Sequence, residues 1–238
     1  MNAPSTTIRD AGVACWQCGA ASRGEHFCPA CGKIQPLPRG ATYFDLFGMP
    51  PQLGIESAAL ESRFHKLSWK LHPDNFTYAS EFERNLSLQR CSELNDAYRA
   101  LREPISRVEY LLAQRGMRRE GAAKQKAPPE LLEEVFELNE WLDQLRENRA
   151  AASGAAPAEL LQRLHHARDN FQEKLGSVDA ELEKVCREWD RAIAATGGPA
   201  AQEDPTQQAI LNRLNEILNR RSYIRNLVAG VQTELAGP

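Results

Sequence analysis

The sequence predicts an all-α protein. An antiparallel helical hairpin with short helices around it leads into a three-helix bundle, and a small cysteine segment precedes both. Three observations predict this. Two adjacent stretches carry apolar residues at helical spacing and end at prolines. Three longer helical stretches follow, each with proline at or near its start, where proline suits the first turn. Two Cys-x-x-Cys-Gly turns lie ahead of them all. Linkers set the boundaries. Lys33 to Thr42 holds Pro36, Pro38 and Gly40, and Gly116 to Pro129 is small and charged. The expected divisions are therefore 1–40, 41–116 and 117–238.

Cys15-Trp16-Gln17-Cys18-Gly19 and Cys28-Pro29-Ala30-Cys31-Gly32 each place two thiols on one turn. The glycine after each pair lets the backbone reverse with its amides toward sulfur. Four thiolates around one ion suit tetrahedral zinc. The segment is too short to bury a core, so the metal must supply its folding free energy. Zinc bound structurally by Cys15, Cys18, Cys28 and Cys31 is the expectation. Two alternatives stand beside it: a disulfide pair, disfavoured in a reducing compartment, and iron in a rubredoxin-like site. His26 lies between the turns and is read as a bystander, because four cysteines already close the site.

Tyr43 to Gly48 reads as a short helix with aromatic anchors. In the next helix Leu60, Phe64, Leu67 and Leu71 recur at i, i+4, i+7 and i+11, the stripe of a helix packed on one side. Arg63, Lys66 and Lys70 lie roughly 100° around it, so the helix has an apolar face and a cationic face. Pro73 ends it, since the residue before proline is biased away from helical backbone. The turn is His72-Pro73-Asp74. Downstream, Leu88, Cys91, Leu94, Tyr98 and Leu101 form the expected stripe of the partner helix, which ends at Pro104.

The bundle helices are expected at Pro129 to about Ala152, Pro157 to about Thr196 with a bend near Gly176, and Pro205 to Leu235. Leu131, Val135, Leu138, Leu142 and Leu145 make the first core stripe. Leu132 and Phe136 fall roughly 100–140° off it, edged by Glu137 and Glu140. An outward apolar pair rimmed with acids reads as a binding patch. In the last helix Ile210, Leu214, Ile217, Ile224, Val228, Val231 and Leu235 form the stripe, interrupted by Arg221. Tyr223 points nearly the opposite way and is a candidate hot spot. Cys91 and Cys186 are assigned to packing, and His165-His166 to the surface.

Composition narrows the function classes. The net charge is −3 and the isoelectric point about 6.0, which argues against a general nucleic-acid binder. No apolar run is long enough to cross a membrane. The first residues lack the apolar centre of a secretory signal. With the thiols, that points to a reducing compartment, most simply the bacterial cytoplasm. No catalytic constellation is visible, so an enzyme is not expected.

The hairpin joined at His72-Pro73-Asp74 resembles a J domain over about 42 to 115. The residues that carry it are Tyr43-Phe44-Asp45-Leu46-Phe47-Gly48, Leu71-His72-Pro73-Asp74-Asn75-Phe76 and Asn95-Asp96-Ala97-Tyr98 before Pro104. With Ser106-Arg107-Val108-Glu109-Tyr110-Leu111-Leu112 and Glu137-Leu138-Asn139-Glu140-Trp141-Leu142 added, the chain from about 15 to 235 resembles the HscB family, J-type co-chaperones of iron–sulfur cluster assembly. The cysteine turns look like the tetracysteine segment of that family's eukaryotic branch.

The resemblance implies partners. His72, Pro73 and Asp74, with Arg63, Lys66 and Lys70 steering, would dock on an HscA/DnaK-class ATPase and stimulate it. Leu132, Glu133, Phe136, Glu137 and Glu140, with Tyr223 on the last helix, would hold the IscU-type scaffold. Glu133 departs from the family, where an apolar residue is usual. Alternatives are a J protein serving another client and an iron-binding redox protein. Whether two copies associate weakly through the knuckles is left open.

Overall fold

The computed structural model describes residues 13–22, 24–117, 128–150, 157–196 and 204–237. They fall into two compact units. One comprises the described residues of Met1–Arg115 and Trp189–Gln208, the other those of Gly116–Glu188 and Ala209–Pro238.

The first unit opens with a ribbon, β1 (Val13–Ala14) against β2 (Ala21–Ser22), antiparallel with Val13 opposite Ser22. Strands of two residues are too short for any alternation to announce them, and the sequence reading has no strand here. The helices follow: α1 (Tyr43–Leu46), α2 (Ser57–Leu71), a 3₁₀ turn at Pro73–Phe76, α3 (Glu81–Arg102) and α4 (Pro104–Gln114). Capping boxes start two of them. Thr42 Oγ1 accepts from the Asp45 amide and Asp45 accepts from the Thr42 amide. Ser80 and Glu83 do the same for α3. Each satisfies amides that a helix start leaves without intrahelical partners.

Leu60 and Leu71 of α2 are buried as the stripe requires, with Phe64 and Leu67 half-buried beside them. Phe64 stacks on Tyr98 of α3 at 4.3 Å between ring centres. The buried row of α3 departs from the expectation. It runs through Ser87, Arg90, Leu94, Ala97 and Leu101, while Leu88 is 57% exposed. The face is turned because two polar residues have partners inside: Ser87 Oγ donates to the Leu71 carbonyl at 2.6 Å, and Arg90 reaches into the cysteine segment. Cys91 is half-buried and donates to the same Leu71 carbonyl.

α4 explains its Arg-x-x-Tyr-Leu-Leu string. Arg107 is buried and donates to the carbonyls of Leu101, Arg102 and Leu53. Tyr110 stacks on Tyr43 at 4.5 Å, and its hydroxyl accepts from the Tyr43 amide at 2.8 Å. Leu111 and Leu112 are buried. The same unit includes Trp189, whose Nε1 donates to the Pro51 carbonyl at 2.8 Å. Asp190 beside it accepts from the amides of Leu53 and Gly54 at 2.6 and 2.8 Å.

The second unit contains a 3₁₀ turn at Pro129–Leu131, α5 (Leu132–Ala150), and most of α6 (Ala158–Thr196) and α7 (Pro205–Ala236). α6 runs unbroken through Gly176. The unit's core takes up most of the two predicted stripes: Leu131, Leu138, Leu142 and Leu145 are buried, as are Ile210, Leu214, Ile217, Ile224, Val228 and Val231, while Val135 and Leu235 are only half-buried. The α6 residues buried with them, Leu164, Phe171, Val178, Leu182 and Val185, had no predicted stripe. Ion pairs give the directions. Asp179 meets Arg221 at 2.5 Å and Glu188 meets Arg213 at 2.5 Å, so α6 and α7 run antiparallel. Glu130 faces Arg220 and Arg146 meets Glu234, so α5 runs with α7. Arg221 interrupts the apolar stripe because its guanidinium reaches Asp179.

Candidate functional site

Cys15, Cys18, Cys28 and Cys31 converge, with all four Sγ atoms within 4.8 Å of one another. Cys15 to Cys31 and Cys18 to Cys28 are each 3.7 Å. Four sulfurs at about 2.3 Å from a tetrahedral zinc would stand about 3.8 Å apart, so the donor set fits such an ion. The two turns are built alike. Gly19 and Gly32 have φ of 73° and 71°, the left-handed region where a side chain is strained. Their amides donate to the carbonyls of Cys15 and Cys28, each at 2.9 Å. The Gln17 amide and the buried Gln35 Nε2 donate to Cys15 Sγ at 3.4 and 3.3 Å.

The segment is fastened to the helices by residues the sequence reading did not single out. Ile34 is fully buried among Phe44, Leu60, Leu94 and Leu101, a burial worth about 1.5–3 kcal/mol. Lys33 pairs with Glu83 at 2.9 Å, which holds the Glu83 carboxyl below its usual pKa, helped by Ser80. Trp16 packs edge-on against Phe82 at 4.6 Å, and its indole donates to the Ile34 carbonyl. His26 lies outside the sulfur cluster, as expected, yet it is no bystander. It bridges Arg90 and the Leu46 carbonyl. Only the short spacing between His26 and Cys28 hinted that it belongs to the segment.

α2 ends at Leu71, and His72 takes an extended ψ of 133° before Pro73. The turn is cross-braced. The Asp74 amide donates to His72 Nδ1 at 3.3 Å, and Thr77 Oγ1 donates to the Asp74 carbonyl at 2.9 Å. His72 and Asp74 are exposed, with Nδ1 and Oδ2 3.4 Å apart. Lys66 and Lys70 are exposed on α2. Arg63 spends one donor on the Phe47 carbonyl at 3.0 Å, so it steadies α1 as well as charging the face.

On α5, Leu132 is 53% and Phe136 67% exposed. Glu133, Glu137 and Glu140 are exposed beside them, and Tyr223 on α7 is half-buried. Glu134, on the same helix, turns away and pairs with Lys174 at 2.8 Å.

A helical hairpin that presents a His-Pro-Asp turn at its tip, ahead of a three-helix bundle, is the layout of a J-type co-chaperone. A co-chaperone protein HscB homolog of Vibrio vulnificus (strain YJ016) is 36% identical over 150 residues, 63% of this chain and 84% of that protein. The homolog of Aromatoleum aromaticum (strain DSM 19018 / LMG 30748 / EbN1) is 35% identical over 169 residues, 64% of this chain and 94% of that one. The chain belongs to the HscB co-chaperone family. The crystal structure of human co-chaperone protein HscB shares the fold, with a TM-score of 0.57, 23% identity, and coverage of 92% of this chain and 97% of that one. No family model matches the chain.

Proposed function

We propose that this chain is a co-chaperone of iron–sulfur cluster assembly. It stimulates the ATPase of an HscA/DnaK-class chaperone and delivers an IscU-type scaffold to it. The observation that carries the reading is the braced turn with His72 and Asp74 open to solvent, in a chain of the HscB family. In this reading His72, Pro73 and Asp74 dock on the ATPase. Lys66 and Lys70, with the part of Arg63 not bound to Phe47, raise the encounter rate with an acidic face. The chain itself does no chemistry; its binding free energy shifts the ATPase toward its hydrolytic state.

The scaffold rests on Leu132 and Phe136, with Glu133, Glu137 and Glu140 at the rim and Tyr223 on α7. Two exposed apolar side chains rimmed with acids suit an apolar partner surface carrying basic residues. Cys15, Cys18, Cys28 and Cys31 hold zinc, which joins the two turns and has no part in ATP hydrolysis. The segments 1–40, 41–116 and 117–238 then serve as metal staple, chaperone contact and scaffold carrier. The location is cytoplasmic; no helix among the described residues is long and apolar enough to cross a membrane.

Single-turnover ATP hydrolysis by the host's HscA/DnaK-class chaperone tests this, with and without the chain and with and without IscU. Stimulation that grows with IscU and vanishes in His72→Gln is expected. Stimulation indifferent to IscU would assign another client, and none at all would refute the reading. The Leu132→Ala/Phe136→Ala pair is expected to lose IscU binding with its melting unchanged; undiminished binding would move the scaffold face elsewhere. The purified protein is expected to be colourless with one zinc per chain, and a red, iron-loaded protein would reassign the metal.

A further inference from the structure

Trp69 is 79% exposed on the last turns of α2. It stands two residues from Leu67, about 200° around the helix, so it points away from the packed stripe. Lone exposed apolar residues are ordinary, but Trp69 has a defined setting. With His65, Ser68, His72, Asp74 and Asn75 it lines one open groove. Asn75 Nδ2 donates to the Trp69 carbonyl at 2.6 Å. That carbonyl is among those a helix end leaves without an intrahelical partner, and the bond locks the tryptophan's backbone to the His-Pro-Asp turn. Lys66, one turn back, and Lys70, the next residue, are exposed beside it.

We propose that Trp69 is an affinity-determining anchor for the ATPase partner, extending the docking surface from the His72-Pro73-Asp74 turn along α2. The occupant is the ATPase because the groove is continuous with His72 and Asp74, which line it and which the docking reading places on that partner. The inference rests on that reading. Tryptophan brings large apolar area at low conformational cost, which is why it is enriched among interface hot spots. Its held backbone reduces the ordering cost of binding. His72 and Asp74 act on the ATPase's hydrolytic step; Trp69 sets how much co-chaperone is needed to reach it.

The test is single-turnover ATP hydrolysis by the host's HscA/DnaK-class ATPase, titrated with full-length wild type, Trp69→Ala, Trp69→Phe and His72→Gln. Trp69→Ala is expected to raise the half-saturating concentration at least about 10-fold, a hot-spot-sized effect, with the plateau unchanged. Trp69→Phe should recover most of the affinity, and His72→Gln should lose the plateau. The side chain is exposed, so the melting temperature of Trp69→Ala should match wild type. Half-saturation within twofold of wild type, beside an inactive His72→Gln, overturns the role of Trp69 and leaves the docking reading standing. A lowered plateau at unchanged half-saturation overturns it as well. Wild type without stimulation, or His72→Gln with full stimulation, overturns both readings together. A dimer of the chain that disappears in Trp69→Ala by sedimentation would give the groove to a second copy and overturn the assignment.

Discussion

Arg90 Nη2 donates to His26 Nδ1 at 2.6 Å, tying the middle of α3 to the loop between the two cysteine turns. The other ring nitrogen, Nε2, lies 2.9 Å from the Leu46 carbonyl and donates to it. The imidazole is therefore neutral, with its proton on Nε2. Burial, and then the guanidinium of Arg90, lower its pKa to about 4. The Arg90 side chain is 1% exposed; among the described residues its partners are His26 and Glu93, and its Nε has none. A buried cation with so few partners depends on each of them.

Replacing His26 with alanine should accordingly keep the metal and weaken the fold. The expected loss is about 1–3 kcal/mol, the cost of leaving a buried donor unmatched. Urea unfolding and zinc analysis of the same samples check it. Loss of zinc from His26→Ala would make the histidine a ligand instead.

Metal removal should loosen helices, not only the knuckles. Lys33 meets the capping Glu83 at the start of α3, and Ile34 fills the helical core. Chelation should lower amide protection over the first turns of α3, with zinc restoring it. The metal's folding free energy, on the order of 10–16 kcal/mol in small zinc modules, is enough for part of it to reach α3. Unchanged protection of α3 after chelation would show the segment to be an independent appendage.

Tyr110 predicts an alkaline limit for the first unit. Burial raises its hydroxyl to about 12, against the lowering effect of the Tyr43 amide. The neutral form is favoured in the fold, so this contribution is whole below about pH 10, the ordinary tyrosine value, and is lost as pH rises toward 12. Tyr110→Phe should cost about 1 kcal/mol at pH 8 through the hydrogen bond from Tyr43. The gap between the two proteins should narrow above pH 10 in urea midpoints. A gap independent of pH would contradict this.

Asp190 and Gly54 should be energetically coupled. A Cβ on Gly54 would come 2.8 Å from Asp190 Oδ2, so Gly54→Ala must displace the carboxylate that binds two loop amides. Asp190→Ala should cost about 1–3 kcal/mol. In that background Gly54→Ala should cost clearly less than in wild type, a coupling of about 1 kcal/mol in a double-mutant cycle. Additive losses would mean that the carboxylate has room to move.

Much of this was legible in residue spacing. Leu60 and Leu71 in α2, Leu138, Leu142 and Leu145 in α5, and the Pro73 stop all follow from helical periodicity and proline sterics. The four cysteines declared their convergence because each pair is local and only the pairing of pairs is long-range. The register of α3 was not legible. Hydropathy favours Leu88 and Cys91 for the inner face, and the fold buries Ser87 and Arg90 there. Their partners, Leu71 and His26, are 16 and 64 residues away. Gln35 on Cys15 and Asp190 on the Leu53 amide escape notice in the same way. A polar residue's satisfaction lies in tertiary structure, which no periodicity encodes.

The burial of Ile34 also orders events at the ribosome. Cys15, Cys18, Cys28 and Cys31 are all translated before α1, whereas Leu94 and Leu101, which join Ile34 in the core, come much later. A nascent chain thus has its complete thiol set before it has a helical core, and chains fold from the N-terminal side as they emerge. An ion taken up by those four thiolates at that stage would let the knuckle offer Ile34 as a ready apolar surface onto which the later helices condense. Under metal starvation that surface is missing at the moment α3 is made, so the defect would appear as poor yield of newly made protein before it appeared as loss of mature protein.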